Sequence, residues 1–280
     1  MAEFNIQFAV PIVLASNGTI TITLNDIGPT TYVATVNAGT YWNDRDHASA
    51  SNLLKACATA MDTIDVGATW AASEATGDLE GRSRLKATRS DGNLVASLAF
   101  GGGFTALGGA ALLGYAAGDI APASPGTSFT SSWQADYLWI PHGPLPYCGD
   151  AHAEIEDVVV ETMGDDGSST RDFYASKTLI PIEVRDVPGA LILPGFMTSE
   201  FSVDVDGLAS DDPNVSWEHF MRLWRASSGS ARLWPDRDDL TTYWSLTTLV
   251  EGLASVKAVA VRTEYAPLLY DLEMTGVVAP

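Results

Sequence analysis

Lysine is nearly missing from this chain: only Lys55, Lys86, Lys177 and Lys257 occur in 280 residues. With 35 acidic residues against 15 Lys and Arg, the net charge is −20. A surface of that sign repels phosphate backbones and anionic lipid, so direct nucleic-acid binding is disfavoured. It suits a salty habitat or docking onto a basic partner. Cysteine is also scarce: Cys57 and Cys148 make no disulfide framework, and Cys57, on the apolar side of an expected helix, reads as a small buried hydrophobe. No run approaches the roughly 18–20 apolar residues that a bilayer span needs. The N-terminus Met-Ala-Glu-Phe-Asn-Ile-Gln-Phe lacks the basic region and apolar core of a signal peptide. Recognisable catalytic motifs are missing too: there is no Gly-x-Ser-x-Gly elbow, no His-Glu-x-x-His and no Walker loop. Gly101–Gly109 lacks the Lys-Ser/Thr of a phosphate cradle and reads as a flexible loop. The expectation is a protein that is not an enzyme and holds no cofactor.

What the chain does have is strand-like pattern. Phe4 to Leu14 and Thr19 to Leu24 read as a first pair about a Ser16-Asn17-Gly18 turn. Thr31–Val36 alternates, and Gly39–Trp42 continues the strand character. Ser49–Met61 reads as a helix with Leu53, Leu54, Cys57, Ala60 and Met61 as its stripe. Asp91-Gly92 between Arg84–Thr88 and Asn93–Phe100 predicts a hairpin. Ala110–Tyr115 reads as one helical turn closed by glycine. Ser128–Ile140 reads as a strand with Trp133, Tyr137 and Trp139 at even spacing. Pro141, Pro144 and Pro146 break the pattern and suggest a boundary, giving residues 1–144 as a β-rich domain with one helix and 145–280 as a second with another. In the second part, Ala153–Met163 and Thr170–Val184 flank an acidic tip containing Asp165 and Asp166. Short strands follow at Ala190–Leu193 and Phe201–Val205, then Ala231–Trp234, Thr242–Leu246 and a run from Ala258 to Met274. The clearest helix places Trp217, Phe220, Met221 and Trp224 at i, i+3, i+4 and i+7, with Asp212 as cap, Pro213 at its start and Gly229 after its end. The fold class expected is mainly β (sandwich or barrel-like, α+β), with two principal helices packed on sheets.

Candidate chemistry is thin. His142, Cys148, Asp150 and His152 are soft and imidazole ligands in one loop, at a spacing that matches no standard zinc site. Two acidic groups suggest calcium: Asp204, Asp206, Asp211 and Asp212, and then Asp236, Asp238 and Asp239. The first begins like a calcium loop, but the glycine comes too early and no Glu closes it. Solvated loop carboxylates are the plainer reading, and no metal is assigned. Trp42, Trp139 and Trp244 are the aromatics open to a sugar-stacking reading, against core packing or an interface. The residues singled out for packing and interface are Trp217, Phe220, Met221, Trp224, Trp234, Asp165 and Asp166.

The succession Tyr41-Trp42, Leu53-Leu54, strand–turn–strand, Leu112-Leu113-Gly114-Tyr115 and Tyr137-Leu-Trp-Ile-Pro141 resembles structural proteins of the tail modules of tailed bacteriophages. Trp217-x-x-Phe220-x-x-x-Trp224, a glycine, and Ala231-Arg-Leu-Trp-Pro-Asp236 resemble an aromatic helix and following strand in phage tail and baseplate proteins, including distal-tail-like ones. The resemblance spans most of residues 30–275, in short motifs, and departs in Tyr115 where Phe is usual. It implies a virion structural protein that partners copies of itself in a ring or tube and other tail proteins, and it transfers no catalytic residue. Two other classes stay open: a carbohydrate-binding or host-recognition module, and a glycan hydrolase whose carboxylates meet only in space.

Overall fold

The computed structural model describes residues 7–25, 30–75, 81–116, 120–122, 128–139, 147–148, 154–163, 168–188, 217–227, 230–235, 239–247, 259–263 and 266–278. Among the described residues the chain is mainly β with two α-helices, as its patterning predicts. Its first part runs β1 (Gln7–Ala9), β2 (Ile12–Leu14), β3 (Gly18–Asn25), β4 (Thr31–Val36), β5 (Gly39–Tyr41), α1 (Leu53–Ile64), β6 (Ala68–Glu74), β7 (Arg82–Arg89), β8 (Leu94–Gly102) and β9 (Ser128–Gln134). Two three-stranded sheets, β4-β3-β8 and β6-β7-β9, enclose one apolar core. Strand β3 shows why: Ile20, Ile22 and Leu24 alternate inward while the threonines between them stay half-exposed. Helix α1 is capped by Asn52, whose side chain accepts from the Lys55 amide at 3.0 Å, and it buries Leu53, Leu54, Cys57, Ala58 and Met61. That face packs on β4, β6 and β7. The expected stripe was one residue off, since Ala58 is buried and Ala60 only partly so.

Several local expectations fail, each for a non-local reason. The first expected pair does not form. Strand β2 pairs with β5, whereas β3 lies between β4 and β8. Pro11 interrupts the first run, and Asn17 is engaged elsewhere, accepting from the Ala38 amide at 2.8 Å and from Gly103 at 2.8 Å. Asp91-Gly92 does make a turn, with Gly92 at φ 77°, but it is a crossover and not a hairpin. It carries the chain from β7 in one sheet to β8 in the other. Strand β6 was not expected at all. The stretch read as flexible around Gly101–Gly109 is packed tightly: Phe104 is fully buried, and a Cβ on Gly103 would run into the Ser16 carbonyl. A 3-10 turn over Gly109–Leu113 follows and closes at Gly114, as expected, with φ 79°. Ser128–Ile140 is not one strand. The chain turns at Tyr137, which takes φ 66° while its amide donates to the Asp136 carboxylate at 2.8 Å.

The remaining strands belong to one long sheet: β10 (Leu138–Trp139), β11 (Tyr147–Cys148), β12 (Glu154–Met163), β13 (Ser169–Pro188), β14 (Ala231–Trp234), β15 (Trp244–Thr247), β16 (Val259–Thr263) and β17 (Ala266–Val278), with α2 (Trp217–Ala226) between β13 and β14. The order is β10-β1-β14-β15-β17-β13-β11, with β12 on β13 and β16 on β17. The run from Ala258 to Met274 is thus two antiparallel strands. Strand pairing crosses position 144, because β1 sits between β10 and β14, with Phe8 opposite both Trp139 and Leu233. Phe8, Ala9 and Val10 are fully buried there. The short strands expected at Ala190–Leu193 and Phe201–Val205 lie outside the described residues.

Candidate functional site

Two features of the long sheet stand out, a polar junction at β14 and a ribbon at β12 and β13. The junction begins with the aromatic helix. Phe220 and Trp224 are each 1% exposed; their rings lie 6.1 Å apart, and Phe220 meets Phe8 of β1 at 5.9 Å. These two members of the expected stripe are therefore core residues. Trp217 opens α2 and Met221 lies within it. Trp234 is likewise buried, donating its indole N–H to the Leu240 carbonyl at 3.1 Å and touching Tyr243, ring to ring, at 5.3 Å.

Beside Trp234, Arg232 reaches from β14 to the first part of the chain. Its guanidinium lies 4.0 Å over the Trp42 ring and 4.5 Å from that of Tyr243, and it pairs with the Asp44 carboxylate at 3.1 Å. Asp44's other oxygen accepts from Asn52, the same residue that caps α1, so helix, loop and sheet are held by one network. Burial raises the Asp44 carboxyl against the pull of the Asn52 hydrogen bond and the Arg232 charge. Burial also lowers His47 nearby. Arg45, in the same loop, forms two 2.9 Å bonds to Glu74. A cavity of about 10 Å³ lies against Asn43, Asp44, His47 and Asn52, room for about one water and far too little for a substrate. The junction is thus a structural joint. Arg232 was missed in the sequence because its partner lies 188 residues away.

The ribbon is built by β12 and β13, whose antiparallel register runs from Glu154 opposite Leu179 to Met163 opposite Ser169. Strand β17 takes the other side of β13 only from Leu179 to Pro188. From Ser169 to Thr178, then, β13 bonds to β12 alone among the described residues. At roughly 3.3 Å per residue, this two-stranded ribbon extends about 33 Å. Toward its end Glu161, Met163, Ser168, Ser169 and Arg171 are exposed, with Met163 at 74%. The two strands match the expected hairpin; its tip, with Asp165 and Asp166, lies outside the described residues.

The other candidates separate cleanly. His142, Asp150 and His152 lie outside the described residues, as do Asp204, Asp206, Asp211, Asp212, Asp236 and Asp238, while Cys148 falls in β11. Asp239 is an exposed turn residue, pulled down to about 2 by hydrogen bonds from Thr242 and Thr241. Among the described residues no three His, Cys, Asp or Glu side chains gather as a metal site would require. Trp42, a sugar-stacking candidate, has a ring face covered by Arg232. Cys57 is buried and free, its thiol pushed up by desolvation. No described helix is long and apolar enough to cross a membrane. Comparison with family models, with curated proteins and with solved structures finds no match to this chain.

Proposed function

We propose that this chain is a structural subunit of a tailed bacteriophage particle, working in the tail or baseplate by assembling with copies of itself and docking neighbouring tail proteins. The observation that carries the assembly part is the β12–β13 ribbon. A lone two-stranded ribbon is marginal in water, and its unpaired N–H and C=O groups make it a template for further strands. A ribbon of about 33 Å outside the body of its sheet is therefore best supported as a contact element. The phage assignment rests on the tail-module resemblance of the sequence, two of whose motifs supply buried residues here: Leu112, Leu113 and Tyr115, and the pair Phe220 and Trp224. The acidic surface favours basic partners and holds free subunits apart through like-charge repulsion.

The test is sedimentation velocity and electron microscopy of the purified full chain, followed by antibody labelling of intact particles. Rings or tubes, with label on the tail, are expected. A chain that stays monomeric at every concentration, or that hydrolyses capsule or peptidoglycan, overturns the reading.

A further inference from the structure

The ribbon leaves two strand edges open among the described residues: the outer edge of β12 along Glu154–Met163, and the outer edge of β13 along Ser169–Thr178. The β12 stretch contains Glu154, Glu156, Asp157 and Glu161 and no base. The β13 stretch contains Arg171 and Lys177 against the single acid Asp172. The two strands that offer these edges therefore carry opposite net charge.

That difference decides among the ways in which two ribbons can meet. Setting β12 against β12 brings four acids on each side together and is repulsive. Setting β13 against β13 joins one pair of copies and strands both acidic edges. Setting β13 against the β12 of another copy matches the charges and uses both edges of every copy. The combination already works within one chain, where the register places Glu161 opposite Arg171 and Glu156 opposite Lys177. Direction follows from symmetry. If β13 runs antiparallel to the incoming β12, as it does to its own, every ribbon points the same way, as copies related by rotation about one axis must. Parallel pairing would reverse alternate ribbons.

We propose that the Ser169–Thr178 edge of β13 pairs antiparallel with the Glu154–Met163 edge of β12 from a second copy of this chain, joining copies head to tail in a continuous sheet. This rests on the reading of the chain as a self-assembling subunit and adds which surfaces meet. An exposed edge augmented by a strand gains main-chain hydrogen bonds along its length, so the pairing needs no deep pocket.

The experiment mixes two full-length variants before assembly, Asp157→Cys on β12 and isotope-labelled Ser176→Cys on β13, both carrying Cys148→Ser, and oxidises them. A second pair, Thr162→Cys with Asp172→Cys, covers a shifted register and guards against a poorly folding member. Intact mass should show linked dimers of one labelled and one unlabelled chain in roughly tenfold excess over like-with-like dimers, as several opposed charge pairs acting together give. Like-with-like dimers in excess, or oligomers that form with no link in either pair, overturn this pairing and leave the subunit reading standing. A mixture that remains monomeric by sedimentation overturns both.

Discussion

Replacing Arg89 by methionine tests how the first part of the chain is held. Asp65 closes α1 at its C-terminal end, where the helix dipole is negative and a carboxylate is poorly placed. Its side chain is 0% exposed and that of Arg89 is 3%. One Asp65 oxygen accepts from the Arg89 guanidinium and from the Trp70 indole N–H at 3.1 Å, while Arg89 also holds the exposed Asp91 of the crossover turn. Methionine removes the counter-charge and leaves a buried carboxylate with one indole donor. Breaking one side of a buried pair costs about 3–5 kcal/mol. The low end is taken because the smaller methionine head would leave space beside a surface groove of about 230 Å³, bordered by Val66, Gly67, Arg89 and Ser90, from which water can then reach the carboxylate. The expected loss is thus about 3 kcal/mol, a large share of the roughly 5–15 kcal/mol typical of a folded protein. Urea unfolding followed by tryptophan fluorescence measures it, with Trp70 as a reporter inside the cluster. The double variant Asp65→Asn with Arg89→Met should lose less than the sum of the single ones, since it buries no unpaired charge. A single Arg89→Met chain within about 1 kcal/mol of the parent would refute the argument.

Trp224→Ala should destabilise by about 3–5 kcal/mol, because a fully buried indole beside Phe220 leaves a cavity; an unchanged melting temperature with normal assembly would mark the face as a partner surface instead. Asp91 should titrate at about 2, held down first by Arg89 and then by Asn93. Its folded value lies below the ordinary one near about 4, so its contribution to stability is complete above that pH and is lost as pH falls through the folded value. Carbon-detected NMR of the side chain reads the midpoint, and Arg89→Met should move it upward; no movement would remove the ion pair from the account. If the tip at Gly164–Ser169 docks on a neighbour in the proposed assembly, shortening it should leave the monomer folded and lower its incorporation into particles, whereas loss of soluble monomer would assign the tip to the fold.

How much of this the sequence disclosed depended on how far apart the partners lie. Helix α1 was legible because its stripe and the Asn52 cap are local, and the β12–β13 hairpin because both strands adjoin one turn. Asp91-Gly92 announced a turn but could not say that β7 and β8 leave it into different sheets, since that choice is made by β3 and β9 far along the chain. Strand β6 was hidden by its composition: Ala-Thr-Trp-Ala-Ala-Ser-Glu is poor in the β-branched residues that mark strands, and pairing along β7 overrides this. Even spacing of Trp133, Tyr137 and Trp139 imitated one strand across a turn. Of the junction, the buried aromatics Phe220 and Trp224 were legible from helical periodicity. Asp44 and Arg232 were not, because no local pattern encodes an ion pair across 188 residues.

The placing of β1 between β10 and β14 has a consequence in time. Gln7–Ala9 is made long before its partner at Ala231–Trp234. At about 5–20 residues per second, roughly 10–45 s pass before that partner emerges from the ribosome. Throughout that interval Phe8, Ala9 and Val10, which finish fully buried, have no β14 to close over them. The sheet that carries the ribbon is thereby completed only after β14 has been translated, well after both strands of the ribbon itself are available to pair.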